Sequence, residues 1–176
     1  MRRQTGAALI TGLIFMVVLT LVAMAGMRTT LMEQRMATNA RNRDMAFQAA
    51  EAALREGIAL VRGGTLTPGK FPITGAGCTT ATPRGLCRPS PAGTATPIWN
   101  TVFPVGQTTA SSQAATYGGA LPLVVSQPQY IIEFLSPDVT IPGYSGSSTP
   151  YRITARGWGT SVEAQATVQA TYLLAH

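Results

Sequence analysis

The chain holds a single histidine, His176, and only two cysteines, Cys78 and Cys87. One imidazole excludes most Ser-His-Asp and Cys-His catalysis and every multi-histidine metal site. Two thiols cannot build a zinc site alone, but they suffice for one disulfide. Charge is scarce as well: Asp, Glu, Lys and Arg make up 11% of the 176 residues, against roughly 25% in an ordinary soluble protein. Lysine is nearly missing, with Lys70 alone. The excess of +6 therefore rests on arginines scattered from Arg2 to Arg156. A nucleic-acid binder gathers such an excess on one stripe or tail, so no nucleic-acid partner is expected. The excess is a weak hint of an acidic partner or a membrane surface. No cofactor and no metal are called for by anything in the composition.

Proline is missing before Pro68, and charge is missing from the whole of residues 7–27. As a helix, that charge-free span is about 31 Å long, the thickness of a bilayer's hydrocarbon core. Its threonines and glycines do not interrupt it, because a threonine hydroxyl can bond back to its own helix. Ahead of it stands the leader Met1-Arg2-Arg3-Gln4-Thr5-Gly6. Three readings compete. A secretory signal peptide would be cut after Ala23-Met24-Ala25. An uncleaved anchor would keep Arg2 and Arg3 inside. A third possibility is cleavage after Gly6, which removes the leader and retains the apolar helix.

The helical pattern does not stop at Met27. Residues 28–62 contain no proline, and Gly57 is their one poor interior residue. Phe47, Ala50, Leu54, Ile58 and Val61 recur at three- and four-residue spacing, which predicts an apolar stripe that packs on something. Arg41, Asn42, Glu51, Arg55 and Arg62 occupy the other side, with Glu51 and Arg55 set for an i,i+4 pair. Gly63-Gly64 is a stop signal. One helix over 7–62 follows, greasy all round in its first half and amphipathic in its second. Cleavage after Ala25 would split it, which weighs against the signal-peptide reading.

Composition changes after Arg62, where all 12 prolines and most glycines lie. Residues 63–119 read as an ordered loop region with a short hairpin. Cys78 and Cys87 fall inside it, with Pro83 and Gly85 between them to permit a turn. In an exported chain the default is a disulfide, worth about 2–3 kcal/mol; free thiols or an isolated metal clip are the alternatives. Residues 120–176 alternate. Val162, Ala164, Ala166, Val168, Ala170, Tyr172 and Leu174 oppose Glu163, Gln165, Thr167, Gln169 and Thr171. Tyr151, Ile153 and Ala155 likewise oppose Arg152, Thr154 and Arg156. Residues 130–135 form a third strand, and 121–125 a possible edge strand because of Pro122. Gly157-Trp158-Gly159 is the expected hairpin connection. One apolar and one wet face imply an antiparallel sheet covered on a single side. The fold class is α+β: a long helix whose distal half packs on a C-terminal antiparallel β-sheet.

Several motifs carry no function. Gly64 to Lys70 fits the phosphate-loop spacing, but Phe71 stands where Ser or Thr must ligate Mg²⁺, and Pro72 opposes the helix that should follow. Trp99, Trp158 and Tyr144 read as core aromatics rather than adhesive ones. Glu133 and Asp138 read as a solvated pair and not as glycosidase carboxylates. No catalytic residues are assigned.

The N-terminal region resembles a known family. The leader ending in Gly6 before Ala7-Ala8-Leu9-Ile10 resembles a prepilin signal. Met27-Arg28-Thr29-Thr30, Gln34-Arg35-Met36-Ala37 and above all Ala46-Phe47-Gln48-Ala49-Ala50-Glu51-Ala52-Ala53-Leu54-Arg55 resemble PilX-type minor pilins of the type IV pilus. Gly85-Leu86-Cys87 and residues 151–157 are similar to that family less distinctively. The resemblance implies a prepilin leader at 1–6, cleaved between Gly6 and Ala7 by prepilin peptidase, with methylation of Ala7. The apolar half at 7–27 and the amphipathic half at 28–62 follow. It implies a single-pass inner-membrane precursor with a cytoplasmic N-terminus, handled by an assembly platform and then moved to the pilus tip. Its partners there would be other minor pilins, the major pilin and a large PilY-type adhesin, and its role to prime assembly. Thr11 departs from the family pattern, since most pilins carry glutamate at this fifth mature position. The rival readings are a type II secretion pseudopilin at the pseudopilus tip and a soluble periplasmic binding protein released by cleavage after Ala25.

Overall fold

A computed structural model describes residues 7–72, 77–79, 83–90, 96–103, 113–135, 139–140 and 146–175. Gly6, Asp138, Tyr144 and His176 lie outside the described residues. The chain divides into two compact units, Met1–Ala40 and Arg41–His176. A single helix, α1 (Ala7–Arg62), supplies the described part of the first unit and opens the second. It stops where the sequence places two glycines. The Gly63 amide donates to the Ala59 carbonyl at 2.9 Å and the Gly64 amide to that of Val61 at 3.1 Å. Gly64 sits at φ +68°, the left-handed region in which a Cβ is penalised.

The second unit continues with a 3₁₀ turn at Pro68–Lys70, strands β1 (Gly77–Cys78) and β2 (Leu86–Arg88), and the short helix α2 (Ile98–Val102). Strands β3 (Ala115–Thr116), β4 (Gln129–Phe134), β5 (Val139–Thr140), β6 (Ser147–Trp158) and β7 (Gln165–Ala175) complete it. The seven strands form one sheet around β6. Strand β7 runs antiparallel along nearly all of β6, from Ser148 opposite Ala175 to Trp158 opposite Gln165. On the other side of β6, β4 pairs with 151–156, and β5 pairs with Ser147 and Ser148. Beyond β4, β2 and β3 share its outer side, and β1 forms a hairpin with β2. Every pairing is antiparallel except β2 with β4, which makes the sheet mixed. Strand β2 reaches β4 through a long connection rather than a tight hairpin, and nothing then forces the antiparallel direction.

The sheet is covered on both faces, where alternation suggested one. Ala53, Leu54 and Val61 of α1 pack with Tyr130, Ile132, Phe134, Tyr151, Ile153 and Ala155 on one side. On the other, Ile98, Val102 and Phe103 pack with Cys78, Cys87, Ala114 and Ile131. Residues read as wet are therefore buried: Thr154 and Glu133 are 0% exposed and Arg156 5%. Alternation marks the two sides of a strand but not what later arrives to cover them. The loop region, with no periodicity of its own, supplies that second cover.

Two local expectations are corrected. Gly157 and Trp158 belong to β6, and the hairpin turns afterwards, with the Gly159 amide donating to Ala164 at 2.8 Å. Gly157 is needed in the strand because a Cβ there would stand 2.4 Å from both the Ala46 carbonyl oxygen and the Ala50 nitrogen of α1. Residues 121–125 are a turn and not a strand. Pro122 cannot donate to a ladder, and Leu123 at φ +66° breaks the extended path.

Candidate functional site

Along residues 7–40 every described side chain is exposed, from Leu9 at 78% to Met36 at 65%. The most apolar 18-residue window has a mean hydropathy of 2.6. By length and composition this helix can cross a membrane. Its threonine hydroxyls are satisfied within the helix. The hydroxyls of Thr11, Thr20, Thr29 and Thr30 donate to the carbonyls of Ala7, Val17, Ala25 and Gly26, at 2.7, 2.8, 3.3 and 3.2 Å. Ala7 is the first described residue of the helix, and no acid lies in the turn that follows it. Thr11 is neutral and bonded, and it brings no charge to this end.

The second unit uses the same helix differently. Its buried face is Ala46, Ala49, Ala50, Ala53, Leu54, Gly57 and Val61. Of the predicted packing stripe, Ala50, Leu54 and Val61 lie in that face, and Ile58 packs half-buried beside it. Phe47 does not join them. It is 49% exposed and lines a groove of about 550 Å³ with Met45, Ala49, Leu121, Pro122 and Val124. From Ala46 to Ala53 the sheet-facing row is alanine because α1 comes backbone to backbone against Gly157 and Gly159. A Cβ on Gly159 would meet the Asn42 carbonyl at 2.4 Å, and one on Gly57 would meet Ile153 Cγ2 at 2.7 Å.

Cys78 and Cys87 are joined as a disulfide. They face each other across the β1–β2 hairpin and sit under α2. On the same side of the sheet, buried Glu133 accepts two bonds from Arg152, at 2.9 and 2.6 Å. The Arg156 guanidinium donates to Thr167 Oγ1 at 3.0 Å and to the Phe103 carbonyl. Burial lowers its pKa. These bonds hold β4, α2 and β7 to β6. Among the described residues there is no group of three His, Cys, Asp or Glu that could hold a metal ion.

Periodicity did not point to Glu56. Its carboxylate accepts the Gly118 amide at 3.2 and 3.0 Å and the Tyr130 hydroxyl at 3.3 Å. The Tyr130 pKa is pushed up to about 12, first by burial and then by the neighbouring Glu56 charge and hydrogen bond. The Gln127 amide closes the same loop by bonding both the N–H and the C=O of Leu121, each at 3.1 Å. A glutamate on the half-buried edge of an amphipathic helix was the only signal for this clamp, and it does not separate from a solvated one in sequence.

Residues 5–55 match the family model described as PilX N-terminal, and residues 79–174 match that of the type IV pilus assembly protein PilX C-term. Neither a curated protein nor a solved structure matches.

Proposed function

The chain belongs to the PilX family of type IV pilus minor pilins, and from that membership we propose that it primes pilus assembly and forms part of the tip complex presenting a large PilY-type adhesin. In this reading prepilin peptidase cuts between Gly6 and Ala7, and the new Ala7 amine is methylated. The apolar half of α1 holds the precursor as a single-pass inner-membrane protein with a cytoplasmic N-terminus. It then moves from lipid into the packed helices of the filament. The sheet unit meets the other minor pilins and the adhesin, and the protein catalyses no reaction. The observation that carries the reading is the exposed helix of residues 7–36, whose large apolar side chains are left uncovered among the described residues. Cleavage after Ala25 would discard most of that surface and cut α1 in two, which counts against a soluble periplasmic protein. Membership in the pilus family rather than a secretion family counts against a pseudopilin.

Thr11 refines the position. An acidic residue deep in an apolar bundle costs about 3 kcal/mol unless it is paired. A subunit with glutamate at this place is therefore drawn beneath a neighbour whose amine answers it. Thr11 instead satisfies its hydroxyl on Ala7 of its own helix and requires no predecessor. We place this protein in the outermost layer, where its own N-terminal amine remains available to the subunit below. Deleting the gene should abolish or sharply reduce piliation, with protein secretion unaffected. Replacing Thr11→Glu should displace the protein from the tip, as read by immunogold labelling of sheared pili. Unchanged labelling and unchanged piliation in the Thr11→Glu strain would overturn the outermost position.

A further inference from the structure

The two edges of the sheet are built differently. One ends in β1 and β3, two residues each, and β1 is tied to β2 by the disulfide. Short, interrupted edges of this kind present too few backbone groups to recruit another strand. The other edge is β7, eleven residues long, and among the described residues it pairs with β6 alone. Its sequence, Gln165-Ala166-Thr167-Val168-Gln169-Ala170-Thr171-Tyr172-Leu173-Leu174-Ala175, has no charge, no proline and no glycine. The ladder with β6 runs from end to end with no bulge. Among the described residues, charge, proline and bulges, the devices that blunt an edge strand, are all missing from β7.

We propose that β7 is a docking edge that receives an extended segment of another pilus-tip protein as an added strand. The proposal rests on the reading of the chain as a tip minor pilin. Outward-pointing N–H and C=O groups along a regular strand are complemented in full only by another extended backbone. The side chains state the rest of the partner's chemistry. Val168, Ala170, Tyr172 and Leu174 pack only partly on the core. The incoming strand therefore presents apolar side chains at alternate positions on that face. Thr167, Gln169 and Thr171 stand exposed on the other face, where it presents small or polar ones. Charge is absent from the whole edge, and an uncharged segment fits it. A second copy of this chain is the less suitable occupant: an isologous β7–β7 pair closes at two subunits, which does not suit a protein that takes neighbours along a filament.

Amide hydrogen exchange tests this on the full-length protein in detergent, alone and in a complex co-purified with the pilus-tip fraction through a tag on this chain. The expected result is that alternate amides of 166–174 exchange fast in the protein alone. In the complex they should slow by on the order of 100-fold. Leu173→Lys, which places a charge on this exposed edge opposite Pro150, should remove that protection while leaving β6 amides protected. Protection already complete in the protein alone would mean the chain's own residues cover the edge, and would overturn the proposal. Protection that rises with protein concentration and a doubled mass would assign the edge to a second copy, and overturn it as well. If β7 amides remain fast in a complex that does contain the chain, the edge proposal fails and the pilin reading stands. If the chain is absent from the pilus-tip fraction, the pilin reading itself fails and the edge proposal falls with it.

Discussion

Residues 7–40 and 41–62 belong to one helix and solve opposite problems. The first stretch carries Leu, Ile, Phe, Val and Met on every side, and among the described residues none of them is buried. The second buries four alanines and Gly57 together with Leu54 and Val61, at 0% exposure for Ala46, Ala50 and Ala53, and leaves its phenylalanine half outside. Among the described residues, large apolar side chains thus lie uncovered along the first stretch, and mostly small ones where the helix meets the sheet. Hydrophobicity drives the first arrangement. Close approach, with α1 backbone against Gly157 and Gly159, sets the second.

Glycine substitutions break that comparison most sharply. Gly157→Val should cost about 3 kcal/mol or more, because the new atoms collide with the backbone of α1 at 2.4 Å. A Cβ at Gly12 would have nothing within 4 Å, and Gly12→Ala should leave the sheet unit's stability unchanged while favouring the helix by up to about 1 kcal/mol. Urea unfolding of the two full-length variants in detergent, followed by tryptophan fluorescence, checks both.

Leucines extend the contrast. Leu54 is 7% exposed and Leu13 67%. Leu54→Ala should lose about 2–4 kcal/mol of unfolding free energy, whereas Leu13→Ala should leave the unfolding midpoint unchanged. Phe47→Ala should fall between, below about 1 kcal/mol, because its ring lines the surface groove rather than the core.

On the far face of the sheet, Cys78→Ser with Cys87→Ser removes the bond that ties the β1–β2 hairpin under α2. The expected loss is about 2–3 kcal/mol for a loop closed over this sequence separation, read as a lower melting temperature that reductant does not shift further.

The effect confined to the narrowest range of conditions belongs to pH. Tyr130 titrates in the folded chain at about 12, above its ordinary value of 10.0. The folded state therefore holds this proton more tightly than the unfolded chain does. Its contribution is complete below pH 10 and is lost as pH rises from about 10 to about 12. A Tyr130→Phe variant should show a flatter decline in stability across that window. No matching effect is expected from the first stretch of the helix, whose apolar span from 7 to 27 carries no charged side chain.

Much of this was legible from the residues. The helix and its end at Gly63-Gly64, the extent of its apolar span, the strands around Ile131, Ile153 and Val168 and the closeness of the two cysteines all follow from spacing and turn chemistry. The hidden parts have physical reasons. Periodicity ranks residues by bulk and so picked Phe47, while a backbone-to-backbone contact selects Ala46, Ala49 and Gly57. Alternation marks Arg156 as wet, and Glu133 reads as a solvated carboxylate, because the cover over them comes from an aperiodic loop carrying Ile98, Val102 and Phe103. The Gly157-Trp158-Gly159 run looks like a turn in sequence, yet its first glycine exists to admit a helix.

The central claim is that the apolar stretch stays on the mature protein as its assembly surface. Intact mass with N-terminal peptide mapping of the protein purified from its own host tests it directly. A chain that begins at methylated Ala7 is the expected result. A chain that begins at Gly26 would show the stretch discarded as a signal peptide and would contradict the account.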